Sequence, residues 1–105
     1  MYAVLSVRNL KSGSFDDWRK GWEPDEWPET VKKAYILRNL ENPDEVIAFG
    51  LSEASLDELN ALREDSSWQE GESRRKARMA PHIESETVSG FYEVVEVVVP
   101  AAAAH

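Results

Sequence analysis

The sequence predicts an α+β fold built on a four-stranded antiparallel sheet, and three observations carry that prediction. Apolar, β-branched segments lie at both ends, in YAVLSVR and FYEVVEVVV. A helix-spaced aromatic stripe follows the first of them. Two apolar runs then flank the turn ENPD. Together they give the order β-α-β-β-α-(α)-β, in which strand–helix–strand units need crossover connections. The usual solution is a sheet with its helices on one face, the ferredoxin-like βαββαβ arrangement.

The elements follow from local chemistry. Tyr2 to Arg8 is apolar and branched enough for a strand, and Gly13 punctuates it. Ser14 with Asp17 has the spacing of a capping box, and Phe15, Trp18 and Trp22 fall on one helical face. EPDEWPET, with two prolines, reads as a loop. Lys33–Leu40 and Glu45–Leu51 form a hairpin, with Asn42, Pro43 and Asp44 supplying the turn. A second capping box, Ser55 with Glu58, opens a short helix carrying Leu56, Leu59 and Leu62. Trp68–Ala80 is a less periodic helix interrupted by Gly71, and residues 91–99 are the last strand.

Composition bounds the rest. A chain of 105 residues with 42% apolar and 30% charged residues reads as one domain, here residues 1–99, with the low-complexity stretch 100–105 as a tail. Twenty acidic residues against 12 Lys and Arg give a formal charge of −8, which argues against nucleic acid as a partner. The basic cluster Arg74, Arg75, Lys76 and Arg78 before Pro81 fits a helix C-terminus, where cations complement the dipole; an anion-binding patch is the alternative. No cysteine is present, so thiolate chemistry and disulfides are excluded. Neither a signal peptide nor a membrane-length apolar run is visible, and a cytoplasmic location is the expectation.

Strand alternation sorts Val46 and Ala48 to one face and Ile47, Phe49 and Leu51 to the other. In the first strand Tyr2 and Val4 likewise oppose Ala3, Leu5 and Val7. Both faces are therefore apolar, while two short helices cover only one. A homodimer formed by packing a second copy of the sheet against the open face is the simplest solution. The alternative is that the loop and third helix fold across it.

The chain resembles the dimeric α+β barrel superfamily, in particular antibiotic-biosynthesis monooxygenase-like proteins. YAVLSVRN as first strand, NPDEVIAFGLSEASLDEL as turn, strand and capped helix, and RRKARMAP before the last strand carry the resemblance. It implies a cavity between sheet and helices in each monomer and small, often aromatic ligands. It also implies that some relatives oxygenate such ligands without metal or organic cofactor, and no cofactor is expected here.

Several residues are candidates for such a site. His82, the one histidine outside the tail, could take a proton from a phenolic substrate; a lone histidine after a helix end is more often a loop residue, solvated or paired with Glu84 or Glu86. Arg38 could bind the resulting anion and Tyr35 orient a hydroxyl, or both could serve the strand structurally. Trp18 and Trp22 read as core or cavity wall, Trp27 as lid or interface, and Phe49 and Tyr92 as further ligand contacts. Haem-degrading relatives use an Asn, Trp and His set, for which Asn9, Trp68 and His82 offer the residue types. Two histidines give no paired metal motif, and no phosphate-binding glycine loop is present.

Overall fold

A computed structural model describes residues 1–101; 102–105, most of the AAAAH tail, lie outside the described residues. The elements are β1 (Tyr2–Leu10), α1 (Phe15–Trp22), β2 (Val31–Arg38), β3 (Glu45–Ser52), α2 (Leu56–Glu64), α3 (Ser66–Met79), a 3-10 turn (Ala80–His82) and β4 (Ile83–Glu93). They form one antiparallel sheet in the order β2-β3-β1-β4, with the helices on one face. The fold is ferredoxin-like α+β.

Each connection has a local cause. Lys11 N–H donates to the carbonyl of His82, and Gly13 adopts φ +74° in the turn into α1, a conformation glycine reaches without a Cβ clash. Ser14 occupies the N-cap of α1, but its hydroxyl makes no capping bond, so the expected box there is not formed. In the hairpin, the Asn39 and Asn42 side-chain carbonyls accept from Glu41 and Asp44 N–H, closing two Asx turns. At α2 the box is complete: Ser55 Oγ accepts from Glu58 N–H and Glu58 Oε1 from Ser55 N–H, both at 3.1 Å. Asp65 ends α2 and caps α3 through Trp68 N–H, and α3 runs unbroken through Gly71.

The core lies between the sheet and the α1–α3 pair. Leu10, Val46 and Ala48 meet Trp18, Trp22 and Met79, with Phe15, Ile36 and Ile83 packed at its margin. Trp18 is fully buried and its ring lies 5.7 Å from Phe15 and 6.3 Å from Trp22. The helices approach so closely at Gly21 that a Cβ there would stand 3.2 Å from the Arg78 carbonyl oxygen.

The opposite face is open. Register places Tyr35, Leu37, Ile47, Phe49, Leu5, Val7, Val88 and Tyr92 there, and the Tyr35 and Phe49 rings stack at 5.1 Å. The molecule is only 20 Å along its shortest axis, room for a sheet and one helical layer. The third helix and the loop lie on the same side as the core and leave this face uncovered.

The last strand differs from its expectation over 91–99. β4 spans Ile83–Glu93 instead, and residues 94–99 have no regular structure. The reason is register. Tyr2 pairs with Glu93 and Leu10 with Ile83, so β1 offers a partner to the polar stretch IESETVSG and has none left beyond Val94. Partner availability overrides intrinsic β-propensity.

The two helical glycines are expected to respond oppositely to alanine. Gly71→Ala meets only the end of Arg74, at 3.7 Å, and should stabilise by about 0.5–1 kcal/mol through helix propensity. Gly21→Ala meets the α3 backbone and should destabilise by about 1–2 kcal/mol despite the same propensity gain. Urea denaturation of both variants checks the pair.

Candidate functional site

β1 alternates Val4, Ser6, Arg8 and Leu10 toward the helices, and this strand puts an arginine under a helical layer. Beside it, the inward positions of the sheet are small: Ala48, Gly50 and Ser52 on β3 and Ser89 on β4. Larger residues would fill the space up to α2 and α3. These leave a cavity of about 200 Å³. Its walls include Trp22 of α1, Trp27 and Pro28 of the following loop, Leu59 and Leu62 of α2, Trp68 of α3 and Phe91 of β4.

Arg8 is the polar centre of this space. Its side chain is 7% exposed; Nε donates to Glu86 Oε2 at 2.8 Å and Nη1 to Ser6 Oγ at 2.6 Å. A guanidinium has five N–H donors, so three remain without a protein acceptor among the described residues. Burial pushes the Arg8 guanidinium below its ordinary range, and the attraction of Glu86 does not fully offset it. The cation is thus under-compensated. Arg75 and Lys76 also line the cavity, with Glu72 and Glu86 as its carboxylates. Three cations less two anions leave one positive charge inside a chain whose net charge is −8.

Both carboxylates are engaged. Glu86 holds Arg8, and Glu72 accepts twice from Arg75 Nη1, at 3.1 and 3.0 Å. Arg75 Nε also donates to the Trp22 carbonyl, and its guanidinium lies 5.7 Å from the Trp22 ring. This fixes the aromatic wall to α3. The loop carrying Trp27 is tied to the same helix by Asp25, which pairs with Arg74 and Arg78, and by Arg78 bonding the Glu23 carbonyl. The basic cluster therefore holds the loop and charges the cavity, as well as ending a helix.

The residues singled out in the sequence separate into three places. Trp22 and Trp27 line the cavity and lie edge to face at 5.7 Å, and Phe49 borders it while its ring stacks on Tyr35 on the far face. Trp18 is in the core. Tyr35 and Tyr92 sit on the open face, and Arg38 stacks over Phe15 at 3.8 Å, outside the cavity lining. His82 lies in the 3-10 turn, also outside the lining, so His82, Arg38 and Tyr35 are not brought together. Of Asn9, Trp68 and His82, only Trp68 reaches the cavity. Sequence reasoning misses Arg8 and Ser6, and the Arg8 partner Glu86 is reached only through the fold. The signal is an arginine in phase with Val4 and Leu10 on the inward side of the first strand.

No protein-family model and no curated protein sequence matches the chain. Among solved structures it is similar to an antibiotic biosynthesis monooxygenase-like protein from Chloroflexus aurantiacus, with TM-score 0.65 and 14% identity over 93% of this chain and 96% of that one. A second such protein, from Nitrosomonas europaea, gives TM-score 0.63 and 11% identity over 91% and 100%. A NIPSNAP domain protein from Burkholderia xenovorans gives 0.51 and 17% over 97% and 96%. At these identities the likeness is one of fold, and it is the fold that the sequence resemblance implied. No helix among the described residues is long and apolar enough to cross a membrane, and no group of three or more metal-ligating side chains is present among them.

Glu86→Gln tests the Arg8 pair. Losing the carboxylate leaves Arg8 buried with a weaker partner, and stability should fall by about 1–2 kcal/mol, less than for a fully buried pair because the Glu86 side chain is 40% exposed. Thermal denaturation of the variant checks it.

Proposed function

We propose that the chain binds a small planar aromatic molecule carrying an anionic oxygen, such as a phenolate, enolate or carboxylate, and does so as a homodimer. The observation that carries this reading is Arg8, a buried cation with unused N–H donors facing a cavity walled by Trp22, Trp27, Trp68 and Phe91. Apolar pockets with one well-placed polar anchor are the common form of small-molecule sites. The open apolar sheet face supports the homodimer, and a cytoplasmic setting accords with the absence of cysteine.

The family that the sequence resembles, and two fold neighbours named as antibiotic biosynthesis monooxygenases, support extending this reading to cofactor-independent oxygenation. A phenolic or quinol-like ligand held as its anion by Arg8 is electron-rich enough to react with oxygen directly. At the ring carbon ortho or para to the ionised oxygen, a methylene in the keto form, one oxygen atom becomes a carbonyl and the other leaves as water with the two hydrogens, which gives a quinone. The proton acceptor in this scheme is a cavity carboxylate, Glu72 or Glu86, since His82 stands outside the lining. That both carboxylates are already paired favours the second reading, a non-catalytic binding protein on the same dimer.

Two isosteric ligands test the binding claim. By tryptophan-fluorescence quenching, 2-naphthoate should bind at least about 10-fold more tightly than neutral 2-naphthamide, which corresponds to about 1.4 kcal/mol. Arg8→Met should abolish that preference. Equal affinities in the unmodified protein would remove the anion from the reading. Oxygen uptake with hydroxynaphthalenes, present in the unmodified protein and lost with Arg8→Met, separates the enzyme from the binder.

A further inference from the structure

We propose that the ligand is amphoteric: an aromatic anion seated at Arg8, with a short chain that carries a protonated amine out past Trp27 and Trp68 to Glu26 and Glu29. This rests on the aromatic-anion reading and adds the other end of the molecule. A second cavity, of about 300 Å³, lies beside the first, between the α1–β2 loop and the junction of α2 with α3. The two share Pro24, Trp27, Pro28, Leu62, Trp68 and Glu72 in their walls. The aromatic wall of the inner space is therefore also a wall of the outer one, and the far end of a molecule anchored at Arg8 emerges beside these two indoles.

The two chambers differ in sign. The inner one has an excess of positive charge, and its Arg8, more than nine-tenths buried, has donors that no group among the described residues accepts. The outer one has five carboxylates, Asp25, Glu26, Glu29, Asp65 and Glu72, against Arg74 alone. Three of the five are engaged: Asp25 with Arg74 and Arg78, Glu72 with Arg75, and Asp65 with the Trp68 N–H. Glu26 and Glu29 make no ion pair among the described residues, and they flank Trp27 in the loop. Carboxylates beside indole rings suit an alkylammonium, which gains from charge on one side and the ring quadrupole on the other. Acidic loop residues are ordinarily just solvated. Here the same loop supplies Trp27 and borders a chamber that backs onto a buried, under-compensated cation. A purely anionic ligand leaves Glu26 and Glu29 unmatched, and a purely cationic one leaves Arg8 unmatched. An aromatic acid or phenol with an amine on its far side satisfies both.

Calorimetric titration with three probes tests this: 2-naphthoate, the aminopropyl ether of 6-hydroxy-2-naphthoate, and the N-acetyl form of that ether, which keeps the chain and removes the charge. The amine should bind at least about 5-fold more tightly than its N-acetyl form. Glu26→Gln with Glu29→Gln should remove that difference and leave the affinity for 2-naphthoate unchanged. In the unmodified protein the propyl protons of the bound amine should show nuclear Overhauser contacts to the Trp27 and Trp68 indoles. Equal affinities for the amine and its N-acetyl form, a preference that survives the double variant, or propyl protons without those contacts each overturn the amine end and leave the aromatic-anion reading standing. Failure of 2-naphthoate to bind overturns that reading and this one with it.

Discussion

Burying a guanidinium beneath a helical layer costs free energy that only charges and hydrogen bonds can offset, and the centre of this fold is arranged around that cost. Arg8 sits at an inward position of the central strand, where an apolar residue would ordinarily close the core. Its needs explain its neighbours. Ser6 takes one N–H, and Glu86, brought opposite by the irregular pairing of β1 with β4 after Val7, takes another. The small residues of β3 then leave space in front of the remaining donors. A core made only for stability would contain neither the cation nor the void.

The two halves of the helical layer have different tasks. At one end of the sheet Trp18, Met79 and Leu10 form one buried cluster, and at Gly21 α1 and α3 come into close contact. At the other, α2 and the start of α3 stand off the small-residue floor. The loop between α1 and β2 spans the two regions. Its Asp25 is tied to Arg74 and Arg78 on the surface, while Trp27 is presented to the cavity. Those ion pairs are exposed and individually weak.

Much of the architecture was legible in the sequence because it depends on local signals. The aromatic stripe Phe15, Trp18 and Trp22, the Asn-Pro-Asp turn and the Ser55–Glu58 box each specify an element without reference to the rest of the chain. The site was less legible. Alternation separates Tyr35 and Phe49 from Val46 and Ala48, but it does not say which set the helices cover, and Tyr35 and Tyr92 proved to face away from them. Nor does it separate a cation that lines a cavity from one at a strand end, so it does not tell that Arg8 lines the cavity while Arg38 stacks on Phe15. The final strand shows the same limit. The valines of 94–99 have the stronger propensity, but the polar residues 83–90 have the partner.

The central claim is that Arg8 is the anchor for an anionic aromatic ligand, and its side chain can be observed directly. The Nε–H of Arg8, shielded and bonded to Glu86, should give a slowly exchanging ¹⁵N–¹H resonance distinct from those of the surface arginines. Adding 2-naphthoate should shift that resonance in a saturable manner and leave those of Arg38 and Arg63 in place. A saturable shift at another arginine with Arg8 unmoved, or no shift at any arginine while the ligand binds, would contradict the account.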